Sequence, residues 1–89
     1  MPIQSFACVD TEALFTTGKN RRFVNIKIVA ERKLVQLDAA PSVGFMRAPP
    51  GNDLKEYDGV WHVRINDQWR LPFKWGERGP YDVLIEDPH

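Results

Sequence analysis

The clearest pattern in the chain is an alternation of apolar and polar positions from Trp61 to Trp75. Trp61, Val63 and Ile65 fall on one side of a period of two, His62 and Arg64 on the other. After a polar Asn66-Asp67-Gln68 the alternation resumes, with Trp69, Leu71, Phe73 and Trp75 against Arg70, Pro72 and Lys74. Successive side chains of a strand point to opposite faces, so two such runs around a polar turn predict a β-hairpin. A two-residue loop at Asn66-Asp67 would set Val63 opposite Arg70 and mix the faces. A three-residue loop through Gln68 sets Ile65 against Trp69, Val63 against Leu71 and Trp61 against Phe73. A slip of one residue turns every side chain to the wrong face, so the pattern predicts the three-residue loop. In that register Arg64 stands opposite Arg70, with His62 and Lys74 nearby. Like charges set opposite each other are mildly destabilising. A sheet that accepts them on one face, with tryptophans packed on the other, is suited to display cations to an anion.

Elsewhere the pattern predicts a short strand over Ile3 to Cys8. A helix follows from Thr11 to Thr17, capped by Asp10 and stopped by Gly18. Lys19-Asn20-Arg21-Arg22 is a basic connector, readable as a solvated loop or as a phosphate contact. A second helix is predicted from Arg22 to Ala40. In it Phe23, Ile26, Ala30, Leu34 and Leu37 recur at spacings of three and four, widened by Val24 and Val29. Lys27, Glu31, Arg32 and Gln36 fall mostly on the other side, and Pro41 ends the helix. Ser42 to Gly51 connects helix to sheet, with Val43, Phe45 and Met46 expected beneath the helix and Pro49-Pro50-Gly51 as a rigid turn. Leu54 to Tyr57 reads as a short strand or a loop before an Asp58-Gly59 turn. Glu77 to Pro80 reads as another turn. Tyr81 to Asp87 is predicted as a last strand, with Tyr81, Val83 and Ile85 on one face. The order predicts an α+β domain spanning 1–89: an antiparallel sheet with two helices on one face and the other face open.

Composition adds limits. With 89 residues, 43% of them hydrophobic, the chain suffices for one packed core. Twelve basic and twelve acidic side chains give zero formal charge, so any nucleic-acid role must come from a local cluster. The single Cys8 excludes an internal disulfide and a cysteine-based zinc site. No apolar run nears the roughly 20 residues of a membrane span, and the start does not read as a signal peptide. A cytoplasmic protein without membrane partner, metal or cofactor is expected.

Several stretches together resemble the HigB-type toxins of bacterial type II toxin–antitoxin systems, within the RelE/ParE superfamily. They are Ile3-Gln4-Ser5-Phe6, Ala30-Glu31-Arg32-Lys33-Leu34 through Leu37-Asp38-Ala39-Ala40, Pro49-Pro50-Gly51-Asn52, Arg64-Ile65-Asn66-Asp67-Gln68-Trp69-Arg70, and Tyr81-Asp82-Val83 through Asp87-Pro88-His89. The resemblance implies a compact RelE-like β-α-α-β fold. It implies an endoribonuclease that cuts mRNA in the ribosomal A site, inhibits translation and arrests growth. The implied partners are the ribosome, mRNA and a helix-turn-helix antitoxin of the HigA type, with operator DNA reached only through the antitoxin complex. By position, Arg70 and His89 match the family's cleavage site, and Asp87 matches the aspartate two residues before the terminal histidine.

The chemistry is coherent with those residue types. Attack by the RNA's own 2′-hydroxyl requires a base, cations for the phosphorane, and an acid for the leaving 5′-oxygen. Histidine exchanges protons near neutral pH, and arginine offers a planar fork to phosphate oxygens. Arg70 and Arg64 are therefore read as phosphate clamps and His89 as the proton carrier. Asp87 orients His89 or shares the proton transfer. His62, Lys55 and Lys74 add positive charge, and Trp61 or Tyr81 stacks on a base. Plainer roles compete: a solvated tail for His89 and Asp87, an exposed surface position for His62, ion pairs with Glu86 or Asp82 for the arginines, and the core for Trp61, Trp69, Phe73 and Trp75. The chain also departs from the family pattern. Relatives carry a longer, more basic segment where this chain runs Lys55 to Val60, with Glu56 and Asp58 opposing an anion. Pro88 replaces a tyrosine, and Pro72 interrupts a strand. These departures favour an alternative: a weakened or inactive toxin acting through antitoxin binding and operon repression. A gyrase-directed toxin of the ParE branch is a third reading.

Overall fold

The hairpin forms in the three-residue register. In the computed structural model, which describes residues 1–88, strand β2 (Val60–Arg64) pairs with β3 (Arg70–Gly76) so that Arg64 meets Arg70, Val63 meets Leu71 and Trp61 meets Phe73. The loop is closed by the Ile65 N–H donating to the Trp69 carbonyl at 3.1 Å. The Asn66 side-chain oxygen accepts from the backbone N–H groups of Gln68 at 2.8 Å and Trp69 at 2.7 Å. An Asn oxygen replacing a backbone acceptor is what lets so short a polar loop reverse the chain.

Strands β1 (Lys55–Tyr57) and β4 (Gly79–Tyr81) complete an antiparallel sheet of order β1-β2-β3-β4. The β1–β2 connection is Asp58-Gly59, with φ of 52° and 83°. Two positive φ values in a two-residue loop match the twist of the flanking strands, and glycine meets that demand without strain. Helices α1 (Val9–Thr17) and α2 (Lys27–Ala39) cover one sheet face. Leu14, Ile26, Ala30, Leu34 and Leu37 from the helical side pack with Val63, Ile65, Leu71, Phe73, Val83 and Ile85 from the sheet side. Each large aliphatic or aromatic side chain buried there contributes about 1.5–3 kcal/mol. Trp61, Trp69 and Trp75 pack, partly buried, against this core.

Several sequence expectations need correction. The first helix is capped by Cys8 rather than Asp10. Asp10 instead accepts from the Asn20 side chain at 3.0 Å and faces Arg22 at 3.6 Å. The second helix does not start at Arg22. Asn20 accepts from the Arg22 N–H at 3.0 Å and closes a 3-10 turn over Arg21–Phe23, so regular α-helix begins at Lys27. Val24 is consequently 66% exposed rather than part of the buried stripe. Met46 is buried and Val43 packs on the core as expected, but Phe45 is exposed. The opening segment makes a single parallel bridge, Phe6 to Val83, rather than a strand.

The end of the chain departs most. Strand β4 holds only Gly79 to Tyr81, paired with Gly76 to Lys74. Asp82 then takes a positive φ of 50°. Beyond it the Leu84 N–H reaches the Pro72 carbonyl at 3.1 Å, and Arg70 exchanges backbone bonds with Glu86 at 2.8 and 3.0 Å. The pairing is now one residue out of step, which is a β-bulge at Asp82. Tyr81 therefore shares the outer face with its partner Lys74, while Val83 and Ile85 turn into the core. Pro72 lies beyond the bulge, opposite Leu84, where its carbonyl accepts from the tail and its missing N–H costs one bond to a short irregular run.

Candidate active site

The sheet face away from the helices carries a cleft of about 310 Å³ lined by Asp53, Lys55, Tyr57, His62, Arg64, Arg70 and Pro88. Each wall follows from register. Alternation puts Lys55 and Tyr57 on one face of β1, and Lys55 pairs with His62. Arg64 and Arg70 are cross-strand partners, so their side chains rise from the same face. Glu56 pairs with Trp61 and so faces away from the cleft.

The cations differ in how they are compensated. Lys55 pairs with Asp53 at 3.3 Å. Arg64 pairs with Asp67, whose side chain is 98% exposed. Arg70 bonds instead to the backbone carbonyls of Asn66 and Trp69, the latter at 3.0 Å, and makes no ion pair among the described residues. Carbonyls fix a guanidinium without cancelling its charge, so Arg70 presents the least compensated arginine in the cleft. His62 lies edge-on to the Tyr57 ring, centroids 5.4 Å apart.

Arg64, Arg70, His62 and Lys55 are thus brought together. Lys74, Trp61 and Tyr81 are not: Lys74 faces Asp82 at 3.5 Å, Trp61 packs on the core, and Tyr81 lies exposed beside Gly76. Asp87 accepts from the Gln68 side chain at 2.9 Å, which ties the tail to the hairpin loop beside Arg70. Pro88 reaches the cleft. The expectation for His89 falls outside the described residues. Sequence reading missed Tyr57 and Asp53. The Asp58-Gly59 signal, followed through as a two-residue hairpin, would have placed Tyr57.

The Arg64–Asp67 pair yields a prediction. Exposed ion pairs of this kind are worth about 0.2–1 kcal/mol. Asp67→Asn should free Arg64 and tighten binding of a phosphate anion, pyrophosphate being the probe, about two- to fivefold by calorimetry at low salt. Unaltered affinity would show that Asp67 does not compete with the ligand.

An α+β domain with two helices on one side of a four-strand antiparallel sheet has the architecture of the RelE-like toxins. The sequence profile described as "RelE-like toxin of type II toxin-antitoxin system HigB" matches residues 4–89. Toxin HigB-1 of Vibrio cholerae serotype O1 (strain ATCC 39315 / El Tor Inaba N16961) is 33% identical over 84 residues, covering 88% of this chain and 87% of that protein. The chain belongs to the HigB-like toxins of type II toxin–antitoxin systems. Membership implies an antitoxin partner, and RelE-like toxins are generally endoribonucleases. No helix among the described residues is long and apolar enough to cross a membrane.

Proposed function

We propose that this toxin is an endoribonuclease that cuts mRNA in the ribosomal A site, in the cytoplasm, and so blocks translation. The observation that supports it is the convergence of Arg64, Arg70, His62 and Lys55 on one cleft. Arg70, with Arg64, holds the scissile phosphate and stabilises charge that grows as the 2′-oxygen attacks. His89 is assigned the proton and Asp87 orients it or shares the transfer; His62, which lines the cleft, adds positive charge there. This route needs no metal. The ribosome supplies further binding surface for so small an enzyme. A helix-turn-helix antitoxin of the HigA type neutralises it, and the pair reaches operator DNA through that partner.

The test is tight induction of the wild type, Arg70→Ala and His89→Ala, with mRNA 5′ ends mapped after growth arrest. In-frame cuts that vanish in both variants are expected. Growth arrest with intact mRNA would sink the proposal, and relaxed or broken DNA would point to gyrase.

The pairing of Arg64 with Asp67 and of Lys55 with Asp53 favours a second reading. A cleft that neutralises two of its own cations suits a protein that binds antitoxin but cuts nothing. That protein would cause no arrest and still hold its antitoxin.

A further inference from the structure

Lys33 lies on the core side of α2 and is 6% exposed. A lysine is rarely buried so far without a carboxylate. Among the described residues Lys33 makes no ion pair. Its ammonium donates to the side-chain oxygen of the fully buried Asn52, whose amide donates to the Met46 carbonyl at 2.9 Å. Burial pushes the ammonium below the usual lysine range, and the charges of Arg32 and Arg64 push it further. Arg64 is a cleft residue. A neutral side chain would occupy the same place at less electrostatic cost. Asn52 ends the 3-10 turn Pro50–Asn52, and the next residue, Asp53, is a wall of the cleft.

We propose that Lys33 is a positioning residue of the cleft: its buried charge, bonded to Asn52 next to the cleft residue Asp53, strengthens the hold on a phosphate anion, and that bond fixes the wall that carries Asp53 and Lys55. Lys33 does not meet the ligand. The inference rests on the reading of the cleft as a site for phosphorylated anions. It accounts for a buried cation bonded to a neutral amide instead of an acid. Lys55 and Arg64 each face an aspartate, whereas Arg70 and Lys33 make no ion pair among the described residues.

The test uses pyrophosphate as probe, followed through the Arg64 and Arg70 guanidinium resonances by NMR. Wild type, Lys33→Gln and Lys33→Arg are compared, each checked by circular dichroism and melting. Lys33→Gln keeps an N–H for Asn52 and removes the charge. It should bind about tenfold more weakly, the scale of one nearby charge at a protein's effective dielectric. The deficit should narrow as salt is added, because screening weakens a charge effect and not a packing defect. Lys33→Arg should restore binding to within about twofold of wild type, since it restores the charge. Wild-type affinity in Lys33→Gln, a deficit that salt leaves unchanged, or no response of the arginines to pyrophosphate would each overturn the proposal. Should Lys33→Arg fail to fold, the salt dependence of Lys33→Gln decides alone. The outcome is separable from the nuclease reading. A wild type that ranks above Lys33→Gln for pyrophosphate yet cuts no mRNA sinks only that reading. In-frame cutting with Lys33→Gln indistinguishable from wild type in binding sinks only this one.

Discussion

Arg70→Ala is expected to lower in-frame mRNA cutting by a factor of about 100 to 1,000, the usual loss when one preorganised donor to a developing anion is removed. The magnitude follows from how Arg70 is held. Its guanidinium bonds to the carbonyls of Asn66 and Trp69, which set its direction and leave its charge for the substrate. Arg64→Ala should cost less, because Asp67 already takes part of that charge. Folding should survive Arg70→Ala. The lost bonds are to loop carbonyls, and each contributes about 0.5–1.5 kcal/mol. The backbone bonds between Arg70 and Glu86 do not involve the side chain. Arg70→Lys should lie between, since it keeps the charge and loses the fork. The measurement is the count of mRNA 5′ ends after induction, normalised to toxin level, with far-UV circular dichroism as the folding control. Wild-type cutting in Arg70→Ala would remove the residue from the site.

How far the sequence foretold this cleft depends on which side chains carry a period. The Trp61–Trp75 alternation specified the register, and the register alone sets Arg64 opposite Arg70. The stripe from Phe23 to Leu37 likewise anticipated the buried face of α2. The start of α2 was hidden, because the Asn20 side chain intercepts the backbone and tightens the first turn. The bulge at Asp82 was hidden too. Aspartate tolerates positive φ better than most residues, but a single such residue leaves no repeat to read. That one residue separates Tyr81, on the outer face, from Val83 and Ile85, which turn into the core. Lys33 carried a signal that went unused. It lies three residues after Ala30 and four before Leu37, on the buried stripe itself, where its charge predicted either exposure or a special role.

Phe73→Ala should remove about 3–5 kcal/mol of stability, the usual cost of truncating a buried phenylalanine. Phe73 is fully buried in β3, between β2 and β4, with its ring 6.5 Å from the Trp75 ring. Its cross-strand partner is Trp61, so truncation also loosens the pair that helps fix the hairpin register. For a domain of this size each kcal/mol shifts the melting temperature by about 4–8 °C. A drop of at least about 12 °C in thermal melts is the expected outcome. Typical domains hold only about 5–15 kcal/mol in total, so a large unfolded fraction is expected at growth temperature. Activity should fall with it, and for a different reason than in Arg70→Ala. Cooling should restore cutting to Phe73→Ala, because the folded fraction recovers and the arginines return to one face. It should not restore cutting to Arg70→Ala, whose fold is intact and whose cation is gone. A Phe73→Ala protein that melts within about 3 °C of wild type would show that this ring does not hold the sheet to the helices. The positioning of Arg64 and Arg70 would then need another physical cause.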